Sequence, residues 1–320
     1  MTAAYRRRGA GSLEATAARL VQVVLERGGR WRHEPADGAM SPSRARGASV
    51  SLPRPYLANM PDPAPAQLDA AAACSLRRLN VIVGSVHALQ AVVLLALATA
   101  ASLAITASFL VGPPGGGDYG AASLGSLRID WLVAAFLLLA AVDHLTLSGG
   151  RPRRWYEANV ARGINPARWW EYAVSASLMV VLIAMLAGVS ELVALIAVFG
   201  ANAAMILFGL VQEQINAGRD EVDWRPFIYG CVIGAVPWIA IAVQLIVSAT
   251  DGDGVPGFVV AIFITLFLLF NTFPVNMWLQ YRGRGRWADP AFAERVYLIL
   301  SLVAKSALAW QVYAGALAGG

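Results

Sequence analysis

The chain has 320 residues, 58% of them hydrophobic and 14% charged, with a mean hydropathy of +0.57. One soluble core of that length cannot hide so much apolar surface, so the composition excludes an ordinary soluble domain and points to a bilayer. The net charge of +5 comes from arginines spread over a tail and short loops, a pattern that suits membrane lipid and not nucleic acid.

In chain order, residues 1–74 read as an N-terminal extension, mostly disordered. Ten of the 24 arginines and seven of the 16 prolines fall in the first 65 residues, alongside Gly, Ser and Ala. Within it, SLEATAARLVQVVLER (12–27) has Leu and Val at helical spacing and fits a short amphipathic helix on a membrane surface. The opening residues lack the apolar stretch and cleavage site of a secretory signal. Met60 also makes residues 1–59 a candidate over-extended gene start. Residues 75–320 are predicted to be an all-α membrane domain, a seven-transmembrane-helix bundle. Seven apolar runs are long enough to cross a hydrocarbon core about 30 Å thick. They fall at 79–105, 129–147, 167–189, 191–212, 226–249, 256–281 and 291–316.

Arginine placement sets the expected orientation. Arg77 and Arg78 precede the first run; Arg151, Arg153, Arg154, Arg162 and Arg168 occupy the second loop or its edge; Arg282, Arg284 and Arg286 occupy the sixth. The opposite side offers only Arg128, beside Asp118, Asp251 and Asp253. The expectation is therefore a multi-pass plasma-membrane protein with its N-terminus cytoplasmic and its C-terminus extracellular. The fourth loop, QEQINAGRDEVDWR, is mixed in charge and does not discriminate. The first outer loop, TASFLVGPPGGGDYGAASLGSLR, is long and Gly-rich for a bundle connection and is expected to form a small extracellular cap.

The residue that stands out is Lys305, the single lysine, in the middle of the last run. It follows Arg295 by ten residues, about 15 Å of helix. An ammonium there costs roughly 3 kcal/mol and calls for a partner inside the bundle. It can serve as a structural ion pair or transport-site cation, or desolvation can make it the nucleophile of a Schiff base. Glu171 in the third run is the leading counterion, although it can equally be an interfacial carboxylate near Arg168. Counting along the helices leaves it roughly 10 Å nearer the cytoplasm than Lys305. Ser301, four residues before Lys305, shares its helical face. His87 and His144 fall in the cytoplasmic halves of their runs, where they can accept a proton or simply pack helices. Asp143 has no assigned role. Met179, Trp238 and Phe270 suit an apolar slot as well as ordinary packing, and Asn202 and Asn271 suit either role.

The two cysteines, Cys74 and Cys231, suggest no disulfide framework, and the scattered histidines suggest no metal site. GPPGGG lacks a following GK[ST], so nucleotide chemistry is not supported.

Five segments, SLVAKSALAWQVYAG, WWEYAVSASLMVVLIA, GAVPWIA, FGANAAMILFG and VPGFVVAIF, resemble heliorhodopsin, and the resemblance extends over residues 75–317. Type 1 microbial rhodopsins commonly carry Asp where Ser301 stands and, like animal opsins, place the N-terminus outside. The resemblance implies all-trans-retinal bound to Lys305, Glu171 as counterion and Ser301 nearby. Met179, Asn202, Trp238 and Phe270 become candidate pocket residues, and His87 and His144 members of a cytoplasmic-side polar cavity. It further implies a slow photocycle, homodimers and a light-sensing role toward a cytoplasmic signalling partner, with no substrate turnover. Two other functions stay open: a light-driven or light-gated proton transporter using Glu171, His87, His144 and Asp143, and a transporter without photochemistry in which Lys305 pairs with Glu171.

Overall fold

A computed structural model describes residues 67–318; the 12–27 stretch and the 1–59 segment lie outside the described residues. Asp69 caps the first helix, α1 (Ala70–Leu97), by accepting a bond from the Ala72 amide at 2.6 Å. Two antiparallel strands follow, β1 (Ser102–Leu110) and β2 (Tyr119–Arg128). Then come α2 (Ile129–Leu147), the short α3 (Gly150–Val160), α4 (Pro166–Leu186), α5 (Leu192–Asn216), α6 (Arg225–Asp251), α7 (Gly257–Arg282), a 3₁₀ turn (Gly285–Ala288) and α8 (Pro290–Val312). All of these helices except α3 are long and apolar enough to cross a membrane, giving the seven-helix bundle expected from the sequence.

Proline and cap residues explain where several helices start. Asn165 and Asp289 cap α4 and α8, and each is followed by Pro at the first helical position, where a missing N–H costs nothing. The last six apolar runs agree with the helices to within a few residues. The first does not: α1 begins nine residues before position 79 and stops at Leu97. Residues 102–105, expected inside the membrane, belong to β1, because pairing with β2 satisfies their backbone. The Gly-rich loop is thus a β-hairpin. Its ladder slips by one residue between Ile105 and Thr106, and Gly125 opposite takes φ 128, a conformation closed to other residues.

The hairpin is clasped to the connection between α4 and α5. The Thr106 amide donates to the Ser190 carbonyl at 2.9 Å. The Glu191 carboxylate accepts from the Ser108 amide at 2.9 Å and the Ser108 hydroxyl at 2.7 Å. At the opposite end lies α3, which the sequence reading treated as loop. Its Arg-rich, Pro-containing stretch buries only Tyr156 and Val160. One large apolar core, including Phe136, Leu182, Ile241, Ile262 and Leu308, fills the hairpin half; smaller clusters around Tyr297 and Tyr156 occupy the α3 half.

Candidate functional site

Two rungs align α4 with α8. Arg168 pairs with Glu294, and the Tyr172 hydroxyl donates to the Tyr297 carbonyl at 3.1 Å. These contacts join residues 126 and 125 apart in sequence, whereas Glu171 and Lys305 are 134 apart. Eight or so extra residues amount to about 12 Å of helix rise. The lysine bridges much of it by leaning toward its helix N-terminus. Its Nζ donates to Ser301 Oγ, one turn back, at 2.9 Å, and lies 3.3 Å from Glu171 Oε1. Counting depth along separate helices left a gap; in the structure the two side chains meet. The Lys305 and Glu171 side chains are 3% and 5% exposed, so the pair is a desolvated one. The Tyr172 ring lies beneath the ammonium, 4.7 Å from its centroid.

Lys305 and Ser301 open onto a cavity of about 310 Å³, within the range of small-molecule sites, roughly 300–1,000 Å³. Met179, Trp238, Phe270 and Asn271 line it. Trp238 is fixed by edge-on contacts with Phe263, Phe267 and Phe270, at centroid distances of 5.7, 5.4 and 5.5 Å. Asn202 does not line this cavity. It is fully buried between α5 and α4, where its amide nitrogen donates to Ser177 Oγ at 3.0 Å. The cavity presents one primary amine among apolar walls, a chemistry suited to an apolar carbonyl compound.

On the α3 side of Lys305, His87 and His144 stack with centroids 6.0 Å apart and planes 13° apart. Gly84 permits this approach of α1 and α2, since a Cβ there would sit 2.8 Å from Leu145 Cγ and 3.2 Å from His144 Cβ. The His144 Nδ1 bonds Asn80 Oδ1 at 2.9 Å. The Asn80 amide nitrogen is itself a donor to Leu76 and Tyr156. The network therefore assigns the proton to Nδ1 and leaves Nε2 as an acceptor.

The largest departure from the sequence reading is Arg168. It is not a loop-edge charge, and it is not the partner of Glu171. It is buried and paired with both Glu213 of α5 and Glu294 of α8. Glu213 also accepts from Trp169 Nε1 at 2.7 Å and the Asn165 amide at 2.8 Å. Glu294 accepts from Asn165 Nδ2 at 2.8 Å and the Tyr156 hydroxyl at 3.2 Å. Neither glutamate was singled out from sequence, because Glu213 stood in a segment assigned to the fourth loop. For Glu294 a signal existed: Ser301 and Lys305 follow it by 7 and 11 residues, on one helical face.

A family model described as Heliorhodopsin matches residues 76–317. No curated protein matches the chain. Among solved structures, the crystal structure of cyanorhodopsin from the cyanobacterium Tolypothrix sp. NIES-4075 is similar, with 16% identity and a TM-score of 0.46. That match covers 78% of this chain and 96% of the cyanobacterial one.

Proposed function

The chain belongs to the heliorhodopsin family, a retinal-binding membrane protein family, and we propose that it is a light-sensing photoreceptor carrying all-trans-retinal on Lys305. The carrying observation is the placement of the Lys305 amine in an apolar cavity of suitable size, 3.3 Å from a buried carboxylate. Retinal, when bound, supplies visible absorption and a double bond that isomerises. The walls formed by Met179, Trp238 and Phe270 confine an elongated apolar molecule and exclude water.

In this reading Glu171 stabilises positive charge at the Lys305 nitrogen, and Ser301 Oγ orients its N–H. Tyr172 adds its ring face below the charge. His87 and His144, fully buried or nearly so, accept the proton when it leaves that nitrogen. His144 Nε2 is the open position. Arginines at the α3 end favour a cytoplasmic N-terminus, and the polar groups around the site then face the cytoplasm. The protein signals as a plasma-membrane homodimer to a cytoplasmic partner, without turning over a substrate.

Expression with added all-trans-retinal tests this. The wild type should show a visible band that Lys305→Ala lacks, and Glu171→Gln should shift the band or weaken proton retention, because the nearest negative charge is gone. A band retained unchanged in Lys305→Ala overturns the attachment site, and an unshifted Glu171→Gln reassigns the counterion. Proton transport, the alternative function, predicts a protonophore-sensitive pH change in illuminated cells in unbuffered medium.

A further inference from the structure

Among the described residues, the interior away from the membrane rims holds two cations, Lys305 and Arg168, and four carboxyl groups: Glu171, Glu213, Glu294 and Asp143. Glu171 has Lys305. Glu213 and Glu294 share Arg168, and each takes two further donors, from Trp169, Asn165 and Tyr156. These three are held as acceptors and account for both cations, with one negative charge to spare.

Asp143 is placed differently. No hydrogen bond to it forms among the described residues. Its Oδ2 is 4.0 Å from His144 Nδ1, and that nitrogen is engaged by Asn80. A fourth carboxylate would add a second uncompensated charge to a site poor in water, and carrying a proton relieves that at lower cost. A cavity of about 10 Å³, the size of one water, joins Asp143 and His144 to Tyr156, Arg168, Tyr172 and Glu294. The groups facing Asp143 are therefore Asn80 of α1, His144 of α2, Tyr156 of α3, Arg168 and Tyr172 of α4, and Glu294 of α8. Beyond Tyr172 lies the Lys305 ammonium. Asp143 stands four residues from the end of α2, about 6 Å, and its side chain is 17% exposed. It thus lies between the buried site and the aqueous face.

We propose that Asp143 carries a proton at rest and is the residue through which the Lys305 nitrogen regains its proton from the cytoplasmic side, an inference that rests on the retinal reading above. In the step, the Asp143 O–H bond breaks and an N–H bond forms at the Lys305 nitrogen, by relay through the cavity as far as Tyr172, whose ring centroid lies 4.7 Å from that nitrogen. The carboxylate left behind takes a proton from water at the α3 end while the histidines give up to the same water the proton they accepted, so the protein returns to its resting protonation and no oxidant or reductant is needed.

Flash spectroscopy on the full chain reconstituted with all-trans-retinal tests the assignment. Asp143→Asn should keep the dark visible band and recover it after a flash at least about tenfold more slowly than wild type. Added azide, a small weak acid, should accelerate that recovery in proportion to its concentration and leave the wild type unaffected. Asp143→Glu should recover at close to the wild-type rate. Light-minus-dark infrared spectra of the wild type should contain a carboxylic C=O band that is absent from Asp143→Asn. A coloured Asp143→Asn that recovers at the wild-type rate, or that keeps the C=O band, overturns the role of Asp143 and leaves the retinal reading intact. A colourless wild type overturns both.

Discussion

Replacing Arg168 by methionine removes the cation but keeps much of the apolar stem that packs over the Tyr297 ring, where the guanidinium carbon lies 3.8 Å from the centroid. Glu213 and Glu294, 1% and 4% exposed, then face each other's charge with only their neutral donors. Breaking a buried ion pair by removing one partner costs about 3–5 kcal/mol. The lost cation–π contact adds about 1–2 kcal/mol. At roughly 2–4 °C per kcal/mol for a domain of this size, the thermal midpoint should fall by about 8–28 °C. It is read from intrinsic tryptophan fluorescence or from the monodisperse fraction after heating, neither of which depends on a chromophore. The triple variant Arg168→Met, Glu213→Gln, Glu294→Gln removes all three charges and keeps acceptor oxygens for Trp169, Asn165 and Tyr156. It should regain most of the loss, since neutral replacements of a buried ionic cluster are often close to neutral in stability. A single variant as stable as the wild type, or a triple variant no better than the single, refutes the account of this cluster.

Two other sites give independent checks. Hydrogen bonds from the Ser108 hydroxyl and amide hold the Glu191 carboxyl below its ordinary value of 4.5. A depressed carboxylate stabilises the fold above its unfolded pKa and loses that contribution as the pH falls through the lowered value. Hydrogen-exchange protection of the Ser108 amide should therefore drop below pH 4.5. Glu191→Gln should lack this drop, with lower protection at neutral pH; equal pH profiles for the two proteins count against the clasp. Gly84→Leu forces side-chain atoms into Leu145 and His144, and overpacking of this kind costs about 1–3 kcal/mol. A lowered thermal midpoint, with Gly84→Ala intermediate, is expected, and an unchanged midpoint in Gly84→Leu contradicts the close approach of α1 and α2.

The seven helices were legible because each is an apolar run of sufficient length, and Asn165-Pro166 and Asp289-Pro290 mark two of the starts directly. The hairpin was not, since Ser102–Ile105 is apolar enough to extend a span, and its strand pairing depends on partners some 25 residues away. Lys305 and Glu171 stood out because a charged residue in a span needs a reason, and Ser301 because it precedes Lys305 by one helical turn. Glu213 and Glu294 lie nearer the ends of their helices, where charge is ordinary, and only tertiary packing draws both onto Arg168. α3 was hidden by polarity: its Arg-rich, Pro-containing stretch buries only Tyr156 and Val160 and lies between two spans, where a loop is the ordinary expectation. Asn202 suited a pocket or helix packing equally from sequence, and only the structure supplies Ser177 on α4 as the partner of its amide nitrogen.

If Lys305 carries retinal as proposed, the clasped hairpin end bears on how light energy is spent. Between Lys305 and the rim residues Asp130, Glu191 and Asp251, the described hairpin half contains the large apolar core and no acidic or basic side chain. The stepping stones for a proton lie on the other side of Lys305. Under the proposed function, a proton released from that nitrogen and later regained travels a return path through one entrance, and the cycle ends with no gradient to harvest. On that reading, absorbed energy is instead available to shift the helices that meet at Arg168, where α8 is tied to α4 and α5, and through Tyr156 to α3. Such a molecule works as a timer whose setting is the lifetime of the displaced proton.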